Sequence, residues 1–448
     1  MNIEGQRILV IGLGKTGIAS VRFLMGQGAK VTATDEKPRS ELKDATDELG
    51  GLVANLEFCA YNTDVLSRVD MIVPSPGVPP SNIILAEAQR RKIRIMSEIE
   101  LAYKFLKPPL IAITGTNGKT TTTALIGHIL AKDGKKVFVG GNIGNPLVGY
   151  IDGKQEDDYA VVEVSSFQLQ WIQSFRPLIS ILLNITCDHV DYHGSFEAYR
   201  ETKERIFQNQ GNSDLAILNA DEPRSFILAK TMAAKVQFFS TRTEVTKGMF
   251  LKDGTLVHHA VDGDSEEYPL DMINIPGLHN IENVMAAVMA ARYCGCSPGS
   301  IVNAVRDFKG MPHRIEFIEE KNGVAFYDDS KGTNVGAVAR ALETFSRPII
   351  LLMGGRDKEG DFGTLSPLIK SRVKELVLFG EARNKIDDLI GCIVKTSKRR
   401  TLGEAIKLAY QNSSPGDVVL LSPGCASFDE FSNYNERGRF FKDVVKSL

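Results

Sequence analysis

The chain has 448 residues, 43% of them hydrophobic and 24% charged, which excludes a disordered, collagen-like or coiled-coil protein. At roughly 150 residues per domain it should fold into about three domains, each with its own core. Its 53 Lys plus Arg nearly cancel its 55 Asp plus Glu, so no whole-molecule field draws it to nucleic acid or to a membrane, and an anionic ligand must be held by locally placed cations.

The six cysteines (59, 187, 294, 296, 392 and 425) form no CxxC pair and no zinc-like spacing with histidine, which fits a reducing cytoplasm. The apolar run near the start lacks the basic flank and cleavage site of a signal peptide. The run from Leu178 to Ile185 falls short of the ~18 residues that span a bilayer.

In chain order, RILVIGLG, KVTATD, VDMIVPSPG and IRIMSE read as strands with helical stretches between them. Lys107-Pro108-Pro109 then breaks the pattern. A second series follows: LIAITG, KVFVGG, YAVVEVS, ISILLNI, LAILNA and VQFFS. After it FLKDGTLVHH reads as a hairpin turning at Asp253-Gly254, and HNIENVMAAVMAARYCG as a helix stopping at Gly295. Beyond a linker at Gly310 to Pro312, VAFYDDS, PIILLMGG, ELVLFG, CIVKTS and DVVLLSPG form a third series. The fold class is α/β, three consecutive Rossmann-like domains over 1–107, 108–311 and 312–448, the central one a mostly parallel sheet of P-loop ATPase type. RRKIR, Arg90 to Arg94, reads as the cationic last turn of a helix.

Gly12-Leu13-Gly14-Lys15-Thr16-Gly17 follows a strand and opens a helix, and Asp35 closes the next strand, the dinucleotide fingerprint. Backbone N–H groups at such a helix start bind any diphosphate, so a nucleotide sugar fits as well as NAD. Ser75-Pro76-Gly77 belongs on the same sheet edge. Gly115-Thr116-Asn117-Gly118-Lys119-Thr120-Thr121 is strand, glycine loop, lysine, hydroxyl and helix, an ATP site in which Lys119 reaches the β- and γ-phosphates and Thr120 holds Mg²⁺. Position 113 is Ile, so the loop is shorter than the common P-loop. Glu163 closes another strand and suits the same metal. From pattern alone His189 reads as a surface histidine in a loop, and Lys203, between Glu201 and Glu204, as a solvated helix lysine.

Together GTNGKTTT, EVSSFQL, NITCDHVDYHGS, GLHNIENVMAA, MPHRIE and DDSKGTN, in this order, resemble the Mur ligase family, ATP-dependent amide-forming enzymes of peptidoglycan assembly, over essentially the whole chain. Folylpolyglutamate synthases share the ATP loop but not the N-terminal diphosphate loop. GLGKTG, GNIGNP and SPGCASFDEF point within the family to the addition of D-glutamate to UDP-N-acetylmuramoyl-L-alanine. The alternatives are another ligase of the Mur or folylpolyglutamate type, or an NAD-dependent oxidoreductase, which would leave GTNGKTT unexplained.

The resemblance implies ATP, two Mg²⁺ ions and small-molecule substrates; a monomer is expected because one chain supplies all the pieces, and the cysteine pattern fits a cytoplasmic location. By matched position the resemblance assigns catalysis to Lys119, Glu163, His189 and Lys203, and metal binding to Thr120, Glu163, His189 and Lys203, the last as a carbamylated lysine. It places Asn283, Arg314, Asp329 and Lys331 on ATP with the loop Gly115 to Thr121. Gly14, Lys15, Thr16, Asp35, Glu36, Lys37, Ser75 and Gly77 fall on the uracil, ribose or diphosphate, and Asn142, Ser165 and His189 on the muramoyl peptide. Thr333, Lys358, Ser427, Phe428 and Tyr434 match the D-glutamate site.

Overall fold

In a computed structural model of the chain, residues 1–49, 55–58, 63–260, 263, 265–357 and 359–448 are described. They divide into two compact units, Met1–Met272 with Glu282–Asp307, and Ile273–Ile281 with Phe308–Leu448.

The first unit holds two sheets. Strands β1 (Arg7–Ile11), β2 (Lys30–Asp35), β3 (Asn55–Phe58), β4 (Met71–Pro74) and β5 (Arg94–Ile95) form a parallel sheet in the order β3-β2-β1-β4-β5. Four of the five residues of RILVI are buried, as expected of a strand covered on both faces. Only Arg94 and Ile95 of IRIMSE join the sheet. The RRKIR run is likewise only partly a helix end. Arg90 closes the helix Ile83–Arg90 and Arg91 caps it, both paired to Glu87, whereas Arg94 begins β5.

The second sheet contains β6 (Leu110–Thr114), β7 (Val137–Gly141), β8 (Tyr159–Glu163), β9 (Ile179–Leu182), β10 (Leu215–Asn219), β11 (Lys235–Ser240), β12 (Gly248–Lys252), β13 (Thr255–His259) and β14 (Ser265–Pro269), ordered β14-β13-β12-β11-β10-β9-β6-β8-β7. It is parallel from β7 to β12 and antiparallel beyond. Every residue of β6 is buried. The β12–β13 hairpin turns at Asp253 and Gly254, whose φ angles of 47° and 77° suit the two left-handed positions of a tight turn.

In the second unit, β15 (Glu316–Lys321), β16 (Val324–Asp328), β17 (Ile349–Gly354), β18 (Val373–Phe379), β19 (Lys395–Lys398) and β20 (Val418–Gly424) are ordered β15-β16-β20-β17-β18-β19. All pairs are parallel except β15 with β16. The sequence reading misses β3 (NLEF), β14 (SEEYP) and β15 (EFIEEK). All three are edge strands, and in β14 and β15 charges suppress the apolar pattern that marks a strand. Among the described residues no helix is long and apolar enough to cross a membrane.

Candidate active site

The two glycine-rich loops follow the carboxyl ends of β1 and β6, the edge at which open α/β sheets bind ligands. After β1 the chain turns through Gly12, at φ 88°, into the helix Lys15–Gly26 with Gly14 as its cap. A Cβ on Gly17 would stand 1.9 Å from the Gly12 carbonyl, so this close helix-to-turn packing requires glycine. The Asp35 carboxylate accepts from Leu13 N–H at 2.7 Å and Lys37 N–H at 2.9 Å, tying the end of β2 to the glycine turn. Ser75 Oγ donates to the Gly12 carbonyl at 2.7 Å, and Lys15 Nζ to the Gly144 carbonyl. A Cβ on Gly77 would meet nothing within 4 Å, and Thr16, Glu36 and Lys37 stand near the same edge, Glu36 and Lys37 exposed.

After β6, the loop from Gly115 to Gly118 is pinned from the neighbouring strand. Thr116 N–H donates to the Asn184 carbonyl (2.8 Å) and Asn117 N–H to Asn184 Oδ1 (2.9 Å). Gly118 has φ 85°, and a Cβ there would lie 2.2 Å from Asn283 Oδ1, which also accepts from Thr122 Oγ1 at 3.2 Å. Lys119 and Thr120 open the helix Lys119–Lys132, in which Thr121 is also buried. Lys119 Nζ donates to the carbonyls of Gly115 (2.9 Å) and Thr116 (3.0 Å). Thr120 Oγ1 donates to Glu163 Oε2 at 2.8 Å, and Asn142 Nδ2 to Glu163 Oε1 at 2.8 Å. Glu163, 2% exposed, therefore bridges the phosphate-type loop and the GNIGNP segment.

Lys203 is not a solvated lysine. Its helix, Phe196–Glu204, buries Tyr199, Thr202 and Lys203 together, while Glu201 stays in solvent and Glu204 pairs with Arg224. Lys203 is 2% exposed and donates to the Gly115 carbonyl at 2.9 Å. Its Nζ lies 4.9 Å from the centre of the Tyr199 ring, and Tyr199 in turn hydrogen-bonds Thr116. Burial first, and then the Lys119 charge, push the Lys203 pKa well below that of an ordinary lysine against the opposing pull of Asp188 and Glu163. His189 is more open, its side chain 44% exposed and 3.6 Å from Asp188. It adopts a left-handed backbone (φ 50°) and meets the Phe167 ring edge-on at 4.8 Å. Ser165 caps the short helix Ser166–Leu169 after β8.

In the second unit Asp329 accepts from Ser422 Oγ at 2.7 Å, and burial pushes its pKa up to about 7. Lys331 Nζ lies over the Tyr434 ring, 5.3 Å from its centre, and its N–H donates to the carbonyl of His313, which precedes Arg314. Thr333 N–H bonds the Lys331 carbonyl. Ser427 is buried, Phe428 is 58% exposed, and Tyr434 begins the helix Tyr434–Ser447. Lys358 lies outside the described residues.

Three regions of the chain match known domain families: Mur ligase MurD-like, N-terminal domain at residues 6–97, Mur ligase middle domain at 113–291, and Mur ligase, glutamate ligase domain at 313–425. A UDP-N-acetylmuramoylalanine--D-glutamate ligase from Syntrophus aciditrophicus is 59% identical over 100% of this chain and 99% of its own. The chain belongs to the Mur ligase family. A ligase of the same description from Geotalea uraniireducens is 46% identical over 100% of this chain and 99% of its own length. Among solved structures, MurC of Thermotoga maritima aligns with a TM-score of 0.58 at 19% identity, covering 99% of each chain. MurF of the same organism, in complex with ADP, aligns at 0.59 and 18%, covering 100% of this chain and 96% of its own. At that identity the likeness shows a shared Mur ligase fold.

Three supporting residues escape the sequence reading. Arg437 is fully buried and donates to Ser330 Oγ and to the carbonyls of Ser330 and Cys425, locking the DDSKGTN loop to the SPGCAS loop. His313 Nδ1 sits 2.6 Å from Asp328 Oδ2. The signal for His313 was Gly438 inside a helix, where a Cβ would stand 2.1 Å from His313 Nδ1. Asn184, which pins the Gly115–Gly118 loop, carried no signal beyond its place at the end of an apolar strand.

Proposed function

We propose that this chain is an ATP-dependent ligase that joins the amine of D-glutamate to the terminal carboxylate of UDP-N-acetylmuramoyl-L-alanine during peptidoglycan precursor synthesis. The observation that carries this reading is the double engagement of Glu163, through Thr120 to the nucleotide loop and through Asn142 to the segment assigned to the muramoyl peptide. The names of the full-length relatives support the same substrates. In this reading the enzyme works as a monomer in the cytoplasm.

A carboxylate is a poor electrophile until one of its oxygens becomes a good leaving group. Its oxygen attacks the γ-phosphorus of ATP, ADP departs, and an acyl phosphate remains. The D-glutamate amine then attacks the acyl carbon, and phosphate leaves as the nitrogen gives up a proton. Both partners of the first step are anions, so fixed positive charge at the point of attack supplies most of the acceleration. Lys119 provides it from the loop, held in place by two backbone carbonyls.

The hydroxyl of Thr120 and the carboxylate of Glu163 are hard oxygen donors side by side, the kind Mg²⁺ takes alongside phosphate oxygens. With His189 and Lys203 they would hold two ions, whose charge would neutralise the phosphates. Lys203 contributes as a carbamate. Burial lowers its pKa and so favours the neutral amine, whose nitrogen would bond the carbon of CO₂ and lose one proton, giving an anionic oxygen ligand. In the second unit, Thr333, Ser427, Tyr434 and the backbone at Phe428, with Lys358, would receive the two carboxylates of D-glutamate.

A coupled assay of ADP release tests the reading. Turnover should require both the muramoyl substrate and D-glutamate, and release indifferent to D-glutamate would refute it.

A further inference from the structure

Glu98, 1% exposed, opens the helix Glu98–Tyr103 after the first sheet and takes no part in the chemistry above. Both of its oxygens face donors in the second sheet's layer. Oε1 accepts from Val148 N–H at 2.8 Å, and Oε2 from Gln168 Nε2 at 3.3 Å. Val148 lies in the first turn after GNIGNP. Gln168 Oε1 accepts from both the N–H and the hydroxyl of Ser165, each at 3.0 Å. Gln168 N–H completes a capping box by donating to Ser165 Oγ at 3.3 Å.

The chain of contacts has only one polarity. A backbone N–H can only donate, so the Gln168 atom facing Ser165 is its oxygen, and its NH₂ must face Glu98. A carboxylate receives that NH₂ and the Val148 N–H without conflict. The Ser165 hydroxyl proton is then committed to Gln168 Oε1, and one of its lone pairs to Gln168 N–H. What Ser165 has left to offer a ligand is a lone pair.

We infer that Glu98 is a positioning residue that, through Gln168, fixes Ser165 as a hydrogen-bond acceptor and thereby selects a substrate carrying an amide N–H at that point. This rests on the proposed ligase reading, in which Ser165 meets the muramoyl peptide. Ser165 lies two residues beyond Glu163, so the N–H it receives is the alanyl one, the amide nearest the reacting carboxylate.

The experiment is a reciprocal exchange. Glu98→Gln puts a donor against a donor at either Val148 or Gln168, and Gln168→Glu sets two carboxylates face to face. The double variant Glu98→Gln/Gln168→Glu restores complementarity, because the new amide donates to the new carboxylate and Ser165 keeps its polarity. Each single variant should raise KM for the muramoyl substrate roughly tenfold, the cost of one buried hydrogen bond left unmade, with KM for ATP unchanged. The double variant should recover most of the loss.

In the unaltered chain, a substrate analogue with an ester oxygen in place of the alanyl N–H should lose a similar factor, and Ser165→Ala should abolish that discrimination. Thermal unfolding and ADP binding report whether each variant is folded. Single variants that leave the muramoyl KM alone, a double variant no better than the singles, or undiminished discrimination in Ser165→Ala would each overturn the inference. An unaltered chain that does not ligate would remove the ligase reading and the inference together, whereas a ligating chain whose variants lack the split overturns the inference alone.

Discussion

The Nζ of Lys203 lies 2.9 Å from the Gly115 carbonyl, placing a buried amine against the first glycine of the Gly115–Gly118 loop. Such an amine is expensive to charge, because it has left water and has Lys119 for a neighbour. In the proposed reading, conversion to a carbamate would remove that cost and supply a metal ligand.

Lys203→Ala should therefore abolish ligation, and short carboxylates such as formate or acetate should partly restore it by occupying the place of the carbamate. Stripping CO₂ from the unaltered enzyme should lower its rate, and bicarbonate should bring it back. These outcomes are read from ADP release. Absence of rescue at any carboxylate concentration, with nucleotide binding intact, would return Lys203 to a purely structural role.

Gly118 and Gly134 share a φ of 85°, but their surroundings differ. A Cβ on Gly118 would press within 2.2 Å of Asn283 Oδ1, whereas nothing lies within 4 Å of one on Gly134. Both changes to alanine pay the left-handed backbone cost of about 1–2 kcal/mol. Only Gly118→Ala should also weaken ADP binding, by tenfold or more, as measured by calorimetry. Equal nucleotide affinity in the two variants would show that the crowding at Asn283 does not shape the loop.

Glu100 is fully buried and receives the Ser174 hydroxyl and the N–H groups of Gln173, Ser174 and Phe175. Burial works to raise its pKa, but these donors prevail and hold it below the ordinary glutamate range. A depressed folded pKa stabilises the protein above the unfolded value near 4.3, and that stabilisation fades as pH falls through the folded value. Glu100→Gln should cost roughly 2 kcal/mol at neutral pH, the scale of hydrogen bonds to a charged group, and flatten the loss of stability on acidification. Denaturant melts of both proteins from neutral to acidic pH measure this, and parallel pH profiles would contradict it.

The strand-then-glycine rhythm made most of the architecture legible, because parallel strands buried on both faces are written as nearly unbroken apolar runs. The loops could be read because glycine, lysine and hydroxyl residues after a buried strand have no packing use. Lys203 could not be read by pattern. Its flanking glutamates describe the solvent side of a helix, and only the tertiary fold shows that the lysine turns the other way. Glu98 and Arg437 were hidden for a similar reason, since nothing local in a sequence tells a buried, fully hydrogen-bonded charge from a solvated one. β14 and β15 were lost among the charges of sheet edges, and β3 is an edge strand of only four residues.

In the proposed reading the loop around Lys119, with Glu163, activates the muramoyl carboxylate by phosphorylation. Heavy-oxygen labelling of that carboxylate, followed by phosphorus NMR of the phosphate released during ligation, follows the transferred oxygen itself. One labelled oxygen should appear in each phosphate, because the oxygen that attacks the γ-phosphorus leaves with it when the amine displaces it. Phosphate free of label, formed while D-glutamate is being joined, would rule out an acyl phosphate made at this loop.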